Sequence, residues 1–175
     1  DASASQVSVE VRGGGVSLIR VTDNGEGIPA AEVELAFQRY ATSKIGGLDD
    51  LQSITSLGFR GEALPSIAAV AEVDIVTRSA AEAMATYLSL KEGTVVSRGK
   101  QARSPGTTVT VHNLFRSLPA RLKFLKSPAT EASHIANTVS HYALAFPEVR
   151  FTLTMDGRTV LRTAGSGQLI ESAIE

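Results

Sequence analysis

The sequence contains no cysteine among its 175 residues, which excludes disulfide bonds, thiol nucleophiles and cysteine metal sites. It also lacks an excess of either charge, because 17 Lys and Arg residues face 18 Asp and Glu residues, a formal net charge of −1. That balance gives no overall electrostatic attraction to nucleic acid or to a membrane surface. With 43 % apolar and 20 % charged residues, the composition is that of an ordinary globular protein.

No stretch of the sequence is apolar for long enough to cross a membrane. The longest apolar run, 64–76, is interrupted by Pro65, Glu72 and Asp74, and it is shorter than the roughly 20 residues that a spanning helix needs. The sequence also does not open with a basic segment followed by an apolar one, the pattern of a secretory signal. We therefore expect a soluble, cytoplasmic domain.

Both ends of the sequence have the character of internal positions. Residue 1 is Asp, and Leu169, Ile170 and Ala173 begin a helical pattern that no Gly or Pro terminates. We expect the natural chain to continue in both directions. Residues 1–163 are assigned to one domain, and residues 164–175 to a linker or to the start of the next domain.

Eight runs of alternating or β-branched residues predict strands. They are 6–12, 16–21, 73–77, 85–90, 94–97, 107–112, 150–155 and 158–162. Helical spacing of apolar residues predicts helices at 30–40, 62–70, 119–125 and 131–145, with 62–70 expected to be buried. The glycines at 13–15 and the Asp-Gly pair at 156–157 are typical of hairpin turns. Strands joined mostly as hairpins, with helices grouped between them, predict an α+β sandwich with a largely antiparallel sheet.

Two segments carry residues suited to ligand binding. Residues 23–28, Asp-Asn-Gly-Glu-Gly-Ile, directly follow a predicted strand, so that Asp23 would project a carboxylate, and Gly25 and Gly27 would leave the backbone open to a ligand. The same hexapeptide is equally typical of a solvated turn. Residues 57–64 place two glycines and Arg60 just before a helix, an arrangement that favours an anion, although a glycine-rich connector has the same composition. Neither a Walker A sequence nor G-x-G-x-x-G is present.

The remaining candidates are weaker when they are taken singly. The long segment 41–61 is rich in Gly, Ser and Thr, and a loop of that length is usually functional or mobile. Its Thr-Ser-Lys at 42–44 is more often solvent-facing, and the Gly-Thr pair at 106–107 is uninformative by itself. The basic residues within 116–126 favour a charged helix face over phosphate contacts.

Taken in order, these segments form a recognisable series. It consists of Asp-x-Gly-x-Gly at 23–27, Ala-Thr-Ser-Lys at 41–44, Gly-Phe-Arg-Gly-Glu-Ala-Leu-x-Ser-Ile at 58–67 and Gly-Thr before a strand at 106–107. The series resembles the GHKL family of ATP-binding proteins. The second and third segments, together with Leu-Phe-x-x-x-Pro-Ala-Arg-x-Lys-Phe-Leu at 114–125, are similar to the MutL-type mismatch-repair proteins within it. The chain departs from that pattern with Arg-Ser-Leu at 116–118, where Tyr-Asn-Thr is usual, and with Leu122, where a second Arg is usual.

The resemblance implies a two-layer GHKL (Bergerat) fold with a mostly antiparallel sheet and helices on one face. It implies ATP as the ligand, with Asp23 accepting a hydrogen bond from the exocyclic amine of adenine. A carboxylate selects adenine, since guanine carries a carbonyl at that position. The remaining base-side positions are Gly25, Gly27, Ile28 and Thr107, with Thr107 joining Asp23 through its hydroxyl or a water.

The resemblance also assigns residues to the phosphates and to a moving lid. The phosphate positions are Thr42, Ser43, Lys44, Gly58, Phe59, Arg60, Gly61, Glu62, Ala63 and Leu64. Residues 41–61 would be ordered by ATP, as in other nucleotide switches.

At the level of the whole protein, the resemblance implies Mg²⁺-dependent ATP hydrolysis and ATP-driven association of N-terminal domains into a homodimer. It implies the mismatch-recognition protein MutS and, weakly and without sequence preference, DNA as partners, in a bacterial cytoplasm at the nucleoid. The family's general-base Glu and magnesium-ligand Asn belong to a motif expected before residue 1. We therefore expect no catalytic or metal-binding residue within 1–175, and no appreciable hydrolysis by this stretch alone.

Two alternatives remain at this stage. One is the ATPase domain of another GHKL protein, a type II topoisomerase subunit or a chaperone. The other is a non-catalytic module that binds nucleic acid or a partner protein through its basic residues.

Overall fold

The structure is a computed structural model that describes residues 2–39, 41 and 60–168. These residues contain eight strands: β1 Gln6–Arg12, β2 Leu18–Asp23, β3 Glu72–Arg78, β4 Ala85–Lys91, β5 Thr94–Gln101, β6 Gly106–His112, β7 Arg150–Met155 and β8 Arg158–Arg162. They form one sheet in the order β5-β4-β3-β6-β2-β1-β7-β8. Among these strand pairs only β1 and β7 run parallel.

Three helices accompany the sheet in the described part of the chain: α1 Ala63–Ala68, α2 Pro119–Leu122 and α3 Pro128–Ala145. The long helix, α3, begins at Pro128 because the preceding Ser127 caps it, with the Ser127 hydroxyl accepting the N–H of Thr130 at 3.2 Å. Proline is tolerated at this first position since its missing N–H has no intrahelical partner there. None of the helices in residues 2–39, 41 and 60–168 is long and apolar enough to cross a membrane.

The strand register separates the sheet into an apolar and a polar face. One row of cross-strand neighbours is apolar and consists of Val11, Ile19, Val111, Val73 and Leu90. Ala68 of α1 and Val139 and Ala143 of α3 pack against this face, so both helices lie on the same side of the sheet. The adjacent row, on the opposite face, is polar and consists of Glu10, Arg20, Thr110, Asp74 and Ser89. The predicted α+β fold, with a mostly antiparallel sheet and helices on one face, is confirmed.

Most predicted strands are found with small shifts of their ends. The hairpin of β7 and β8 has the predicted bounds, with Asp156 and Gly157 forming the turn. The second strand was expected at 16–21 but is Leu18–Asp23, because Gly13–Gly15 form a 3-10 turn that continues to Val16, whose N–H donates to the carbonyl of Gly13 at 3.3 Å. The later start leaves Asp23 as the last residue of β2.

The predicted helix at 30–40 is wrong for the residues that the structure describes. Only Leu35–Phe37 forms a short 3-10 turn, with i→i+3 bonds such as that from the N–H of Phe37 to the carbonyl of Glu34, 3.2 Å. Val33 and Phe37 nevertheless pack into the core against α1. The helical spacing of apolar residues therefore reports burial here rather than a continuous helix.

Two other helices are shorter than predicted, and one is longer. The helix expected at 62–70 is α1, and of its six residues only Ala68 is buried, so the expectation of a buried helix was wrong for most of it. The helix expected at 119–125 ends at Leu122, beyond which i→i+3 bonds reach Phe124 and Leu125. The helix expected from 131 begins at Pro128. The helical pattern from residue 169 lies outside the described residues, and the domain boundary after residue 163 stays a prediction.

Candidate functional site

The carboxylate of Asp23 is held at the end of β2 by two backbone donors. Its Oδ1 accepts the N–H of Gly25 at 2.8 Å and the N–H of Thr107, at the start of β6, at 3.2 Å. Within the described part of the chain, no hydrogen bond reaches Oδ2. Asp23 is half-buried. One oxygen of the carboxylate is thus used to fix its orientation, while the other can accept a hydrogen bond from a ligand.

The loop after β2 is pressed against the protein at both of its glycines. A Cβ on Gly25 would lie 2.3 Å from the carbonyl oxygen of Ala2, and one on Gly27 would lie 2.0 Å from the carbonyl oxygen of Arg78. Gly27 also has a φ of +72°, a conformation that side-chain-bearing residues rarely adopt. The sequence suggested that these glycines clear space for a ligand. The structure adds a second requirement for glycine at both positions, because each lies against the protein's own backbone.

Thr77, the penultimate residue of β3, ties this loop to the start of β6. Its side chain is fully buried, and its hydroxyl oxygen accepts the N–H of Ile28 at 2.8 Å. The same oxygen lies 2.9 Å from the hydroxyl of Thr107 and 3.3 Å from the carbonyl oxygen of Gly106. The Thr107 hydroxyl therefore contacts Thr77, whereas its backbone N–H contacts Asp23. The buried hydroxyl of Thr77 thus links the loop after β2, at Ile28, to the start of β6, at Thr107.

Arg103 supports Asp23 from the backbone side. Its guanidinium donates through Nη2 to the carbonyl oxygen of Asp23 at 3.3 Å and through Nη1 to the carbonyl oxygen of Val76. Burial lowers the pKa of the Arg103 guanidinium, and the nearby Asp23 carboxylate opposes that shift. Arg103 therefore ties the end of β2 to β3 on either side of β6.

A second polar connection holds the far end of the loop. The N–H of Ala30 donates to Oε1 of Glu82 at 2.9 Å, and Nη1 of Arg78 donates to the backbone carbonyl of Glu82 at 2.9 Å. The loop is thus fixed at Gly25, Ile28 and Ala30 in succession. A loop with so many fixed points presents Asp23 in one geometry, a condition for selective recognition.

The predicted phosphate-side residues are described only in part. Thr42, Ser43, Lys44, Gly58 and Phe59 lie outside the described residues, as does most of the segment 41–61. Residues 60–64, which are Arg60, Gly61, Glu62, Ala63 and Leu64, lead into α1. None of them forms a hydrogen bond with Asp23 or Thr107 in the described part of the chain. The structure thus brings together Asp23, Gly25, Gly27, Ile28 and Thr107, while the described phosphate-side residues, 60–64, form no hydrogen bond with Asp23 or Thr107.

A preformed metal centre is not found in the described part of the chain. Across residues 2–39, 41 and 60–168, no three His, Asp or Glu side chains are grouped so that they could hold a metal ion. The histidines of α3, His134 and His141, are exposed.

Sequence reasoning missed two residues that build this site. Thr77 carried a detectable signal, because it occupies the inward register of β3 after Val73 and Ile75, where an apolar residue is expected. A polar residue at such a position needs a hydrogen-bond partner. Arg103, in the connection between β5 and β6, carried no comparable signal.

Comparison with known proteins identifies the family. No family model matches the chain. It is 48 % identical over 171 residues to the DNA mismatch repair protein MutL of Halothermothrix orenii, and 48 % identical over 172 residues to that of Desulforudis audaxviator, in each case over 98 % of this chain. The Aquifex aeolicus MutL ATPase domain complexed with ADP matches 99 % of this chain at 32 % identity with a TM-score of 0.76. The chain belongs to the MutL family.

The match places the chain within one region of longer proteins. It spans 27 % of the Halothermothrix orenii MutL, 30 % of the Desulforudis audaxviator MutL and 61 % of the solved Aquifex aeolicus chain. That solved chain is an ATPase domain, so both sequence and fold of this chain correspond to the ATPase domain of MutL proteins. The resemblance of the chain to the MutL-type proteins is confirmed.

Proposed function

We propose that this chain is the ATP-binding part of a MutL-type ATPase that acts in DNA mismatch repair. The observation that carries the proposal is the carboxylate of Asp23, oriented by the N–H groups of Gly25 and Thr107 and open at Oδ2 within the described residues. The ADP complex of the Aquifex aeolicus MutL ATPase domain supports an adenine nucleotide as the ligand.

In this proposal Oδ2 of Asp23 accepts a hydrogen bond from the exocyclic amine of adenine. Guanine would place a carbonyl oxygen against the carboxylate, and two acceptors facing each other without a proton are unfavourable. The base would be bordered by Gly25, Gly27 and Ile28. Thr107 would join Asp23 in the polar contacts to the base. The loop that carries these residues is fixed to Ala2, Thr77 and Glu82, so it needs little reordering when the base binds.

The phosphates would be bound by the second set of residues. Lys44, with the hydroxyls of Thr42 and Ser43, would offset their charge, and backbone N–H groups of 58–64 would add donors. We further propose that nucleotide binding orders residues 41–61, and that this ordering promotes association of two N-terminal domains. This part of the proposal rests on the MutL resemblance.

Hydrolysis would require Mg²⁺ and a base that aligns the attacking water. Across the described residues, no three His, Asp or Glu side chains are grouped so that they could hold the metal. The resemblance assigns the general-base Glu and the magnesium-ligand Asn to a motif before residue 1. Losing a general base costs roughly 10²–10⁴-fold in rate, and we therefore expect residues 1–175 alone to hydrolyse ATP far more slowly than the natural protein.

The partners proposed for the whole protein follow from the same resemblance. They are a second copy of the protein, MutS and, weakly, DNA, and the proposed location is the bacterial cytoplasm at the nucleoid. The even charge balance of the chain, −1 in total, gives no support for strong DNA binding by this segment.

The test is equilibrium binding of ATP and ADP to the natural protein and to its Asp23→Asn variant. An amide in place of the carboxylate should weaken binding by about 1–3 kcal/mol, the range for a hydrogen bond to a charged group. Asp156→Asn is the matched control, because Asp156 also accepts a backbone N–H, that of Gly13 at 3.0 Å, but lies in the β7–β8 turn. Equal affinity of the parent and Asp23→Asn would contradict the assignment.

The nucleotide titration, together with DNA binding at several salt concentrations, tests the alternative of a non-catalytic module. A non-catalytic module would bind no nucleotide and would bind DNA with a steep salt dependence.

A further inference from the structure

We propose that Asn24 is a positioning residue for ATP hydrolysis, because it fixes residues 2–5, through which any preceding chain joins β1, against the loop that carries Asp23. The inference rests on the proposed function, in which the base that aligns the attacking water belongs to a motif before residue 1. Asn24 follows Asp23 directly in the sequence. In the described part of the chain, however, its side chain forms no hydrogen bond with Gly25 or Thr107, the two residues that orient the Asp23 carboxylate. Asn24 can therefore act on hydrolysis separately from binding of the base.

The side chain of Asn24 continues the pairing of β1 with β2 beyond the end of the two strands. The antiparallel register ends where Val7 lies opposite Asp23. Past that pair, Oδ1 of Asn24 accepts the backbone N–H of Ser5 at 3.0 Å and that of Gln6 at 2.9 Å. Its Nδ2 donates to the hydroxyl of Ser5 at 2.9 Å. Two N–H donors need an acceptor opposite them, so the partners themselves determine which way the amide points.

The same loop holds the first residues of the segment 2–5. The backbone N–H of Glu26 donates to the carbonyl oxygen of Ala2 at 2.9 Å, and the hydroxyl of Ser3 donates to Oε1 of Glu26 at 3.2 Å. Ser3 has a φ of +52°, a conformation that residues with a side chain rarely adopt. The carbonyl oxygen of Ser5 accepts the N–H of Arg150 at 2.9 Å on the other side. The course of residues 2–5 is thus set largely by their contacts with residues 24–26.

Removal of the Asn24 side chain should therefore affect turnover more than binding. The Asp23 carboxylate would keep its bonds to the N–H groups of Gly25 and Thr107, so that the affinity for an adenine nucleotide should change little. Residues 2–5 would lose the bonds at Ser5, and the chain that precedes them would lose its fixed direction. A catalytic group that is displaced by about 1 Å can cost about 10²-fold in rate.

The experiment compares the natural protein with three variants. Asn24→Ala removes all the side-chain bonds, whereas Asn24→Asp keeps an oxygen for both N–H groups and can accept a hydrogen bond from the Ser5 hydroxyl. Asp156→Ala is the matched control, because Asp156 also accepts a backbone N–H, that of Gly13 at 3.0 Å, but lies in the β7–β8 turn. Three quantities are measured: the affinity for ADP, kcat for ATP hydrolysis, and hydrogen exchange of the Ser5 and Gln6 amides without nucleotide. Thermal unfolding shows which variants are folded.

We expect Asn24→Ala to lower kcat by about tenfold or more, to leave the ADP affinity within about threefold of the parent, and to speed exchange at Ser5 and Gln6. Asn24→Asp should recover much of the lost kcat, and Asp156→Ala should match the parent in all three measurements. If Asn24→Ala does not fold, Asn24→Leu, which is similar in shape but has no polar atom, is measured in its place with the same expectation.

The outcomes separate this inference from the proposed function. An unchanged kcat or unchanged exchange in the folded Ala or Leu variant overturns the role of Asn24. So does a loss of ADP affinity as large as the loss of kcat, an Asn24→Asp variant as slow as Asn24→Ala, or a lowered kcat in Asp156→Ala. Absence of ATP binding or hydrolysis by the parent instead overturns the proposed function, and this inference with it.

Discussion

The backbone N–H of Thr107 donates to Oδ1 of Asp23 across a sequence separation of 84 residues. The contact exists because β2 and β6 are antiparallel neighbours, with Thr22 opposite Thr108. The last residue of β2 therefore lies beside the first residues of β6, at the same end of these two strands. A Gly-Thr pair that carries little information in the sequence thus becomes one of the two supports of the candidate adenine ligand.

The first prediction concerns the tight packing of the loop at Gly27. Gly27→Ala combines an unfavourable φ of +72° with a Cβ only 2.0 Å from the Arg78 carbonyl oxygen. The left-handed conformation costs roughly 1–2 kcal/mol, and overpacking adds typically 1–3 kcal/mol. We expect a loss of about 2–5 kcal/mol in the free energy of unfolding from these two effects, together with weaker ATP binding. Denaturant unfolding and nucleotide titration measure the two effects.

The matched control for that substitution is Gly157→Ala. Gly157 has a φ of +82° in the β7–β8 turn, and a Cβ there would meet nothing within 4 Å. It should show only the conformational cost, about 1–2 kcal/mol, with unchanged nucleotide affinity. If the two variants were equally stable, the close approach of Gly27 to Arg78 would not be a real constraint.

A second prediction addresses residues 41–61, most of which lie outside the described part of the chain. We expect a non-hydrolysable ATP analogue to increase hydrogen-exchange protection of these residues in the natural protein, because nucleotide contacts would add stabilising interactions to a segment rich in Gly, Ser and Thr. The strands β7 and β8 serve as the internal reference, since β1 separates them from β2 and β6, which carry the candidate site. Equal protection of 41–61 with and without the analogue would rule out the proposed ordering.

Local sequence patterns predicted the secondary structure correctly where it depends on residues that are neighbours in the chain. The Asp156-Gly157 turn and the alternation on either side of it gave the β7–β8 hairpin with its bounds. They failed at 30–40, where Val33 and Phe37 have helical spacing but satisfy it through a 3-10 turn packed against α1. Tertiary burial, which the spacing does not specify, decided the outcome.

The candidate site shows the same division. Asp23 could be singled out because a carboxylate beside paired glycines is a recognisable local pattern. The bonds of Thr77 to Ile28 and to Thr107 join residues that are 49 and 30 positions apart, so they depend on strand order and register. The contacts of Arg103 likewise depend on which strands flank β6. Sequence reasoning could therefore find the ligand residue but not the residues that orient it.

The last prediction concerns Arg103, which bonds to backbone carbonyls at the ends of β2 and β3. Arg103→Met keeps much of the apolar stem but removes both bonds, and we expect it to lower the free energy of unfolding by about 1–3 kcal/mol. The free energy of unfolding of Arg103→Lys should lie between those of the parent and Arg103→Met, because an ammonium keeps the charge without the planar fork that reaches both carbonyls. The control is Arg98→Met, since Arg98 forms an exposed ion pair with Glu34, and such pairs contribute about 0–1 kcal/mol.

The pH dependence of the Arg103→Met effect is a further check on its cause. Burial lowers the pKa of Arg103, so the unfolded chain holds this proton more tightly, and stability from this group would increase only as the pH rises through the lowered pKa. An arginine stays protonated far above neutral pH. The difference between the parent and Arg103→Met should therefore be constant between about pH 6 and 9. A difference that changes with pH across that range would mean that a titrating neighbour, and not the pair of carbonyl bonds, accounts for the effect.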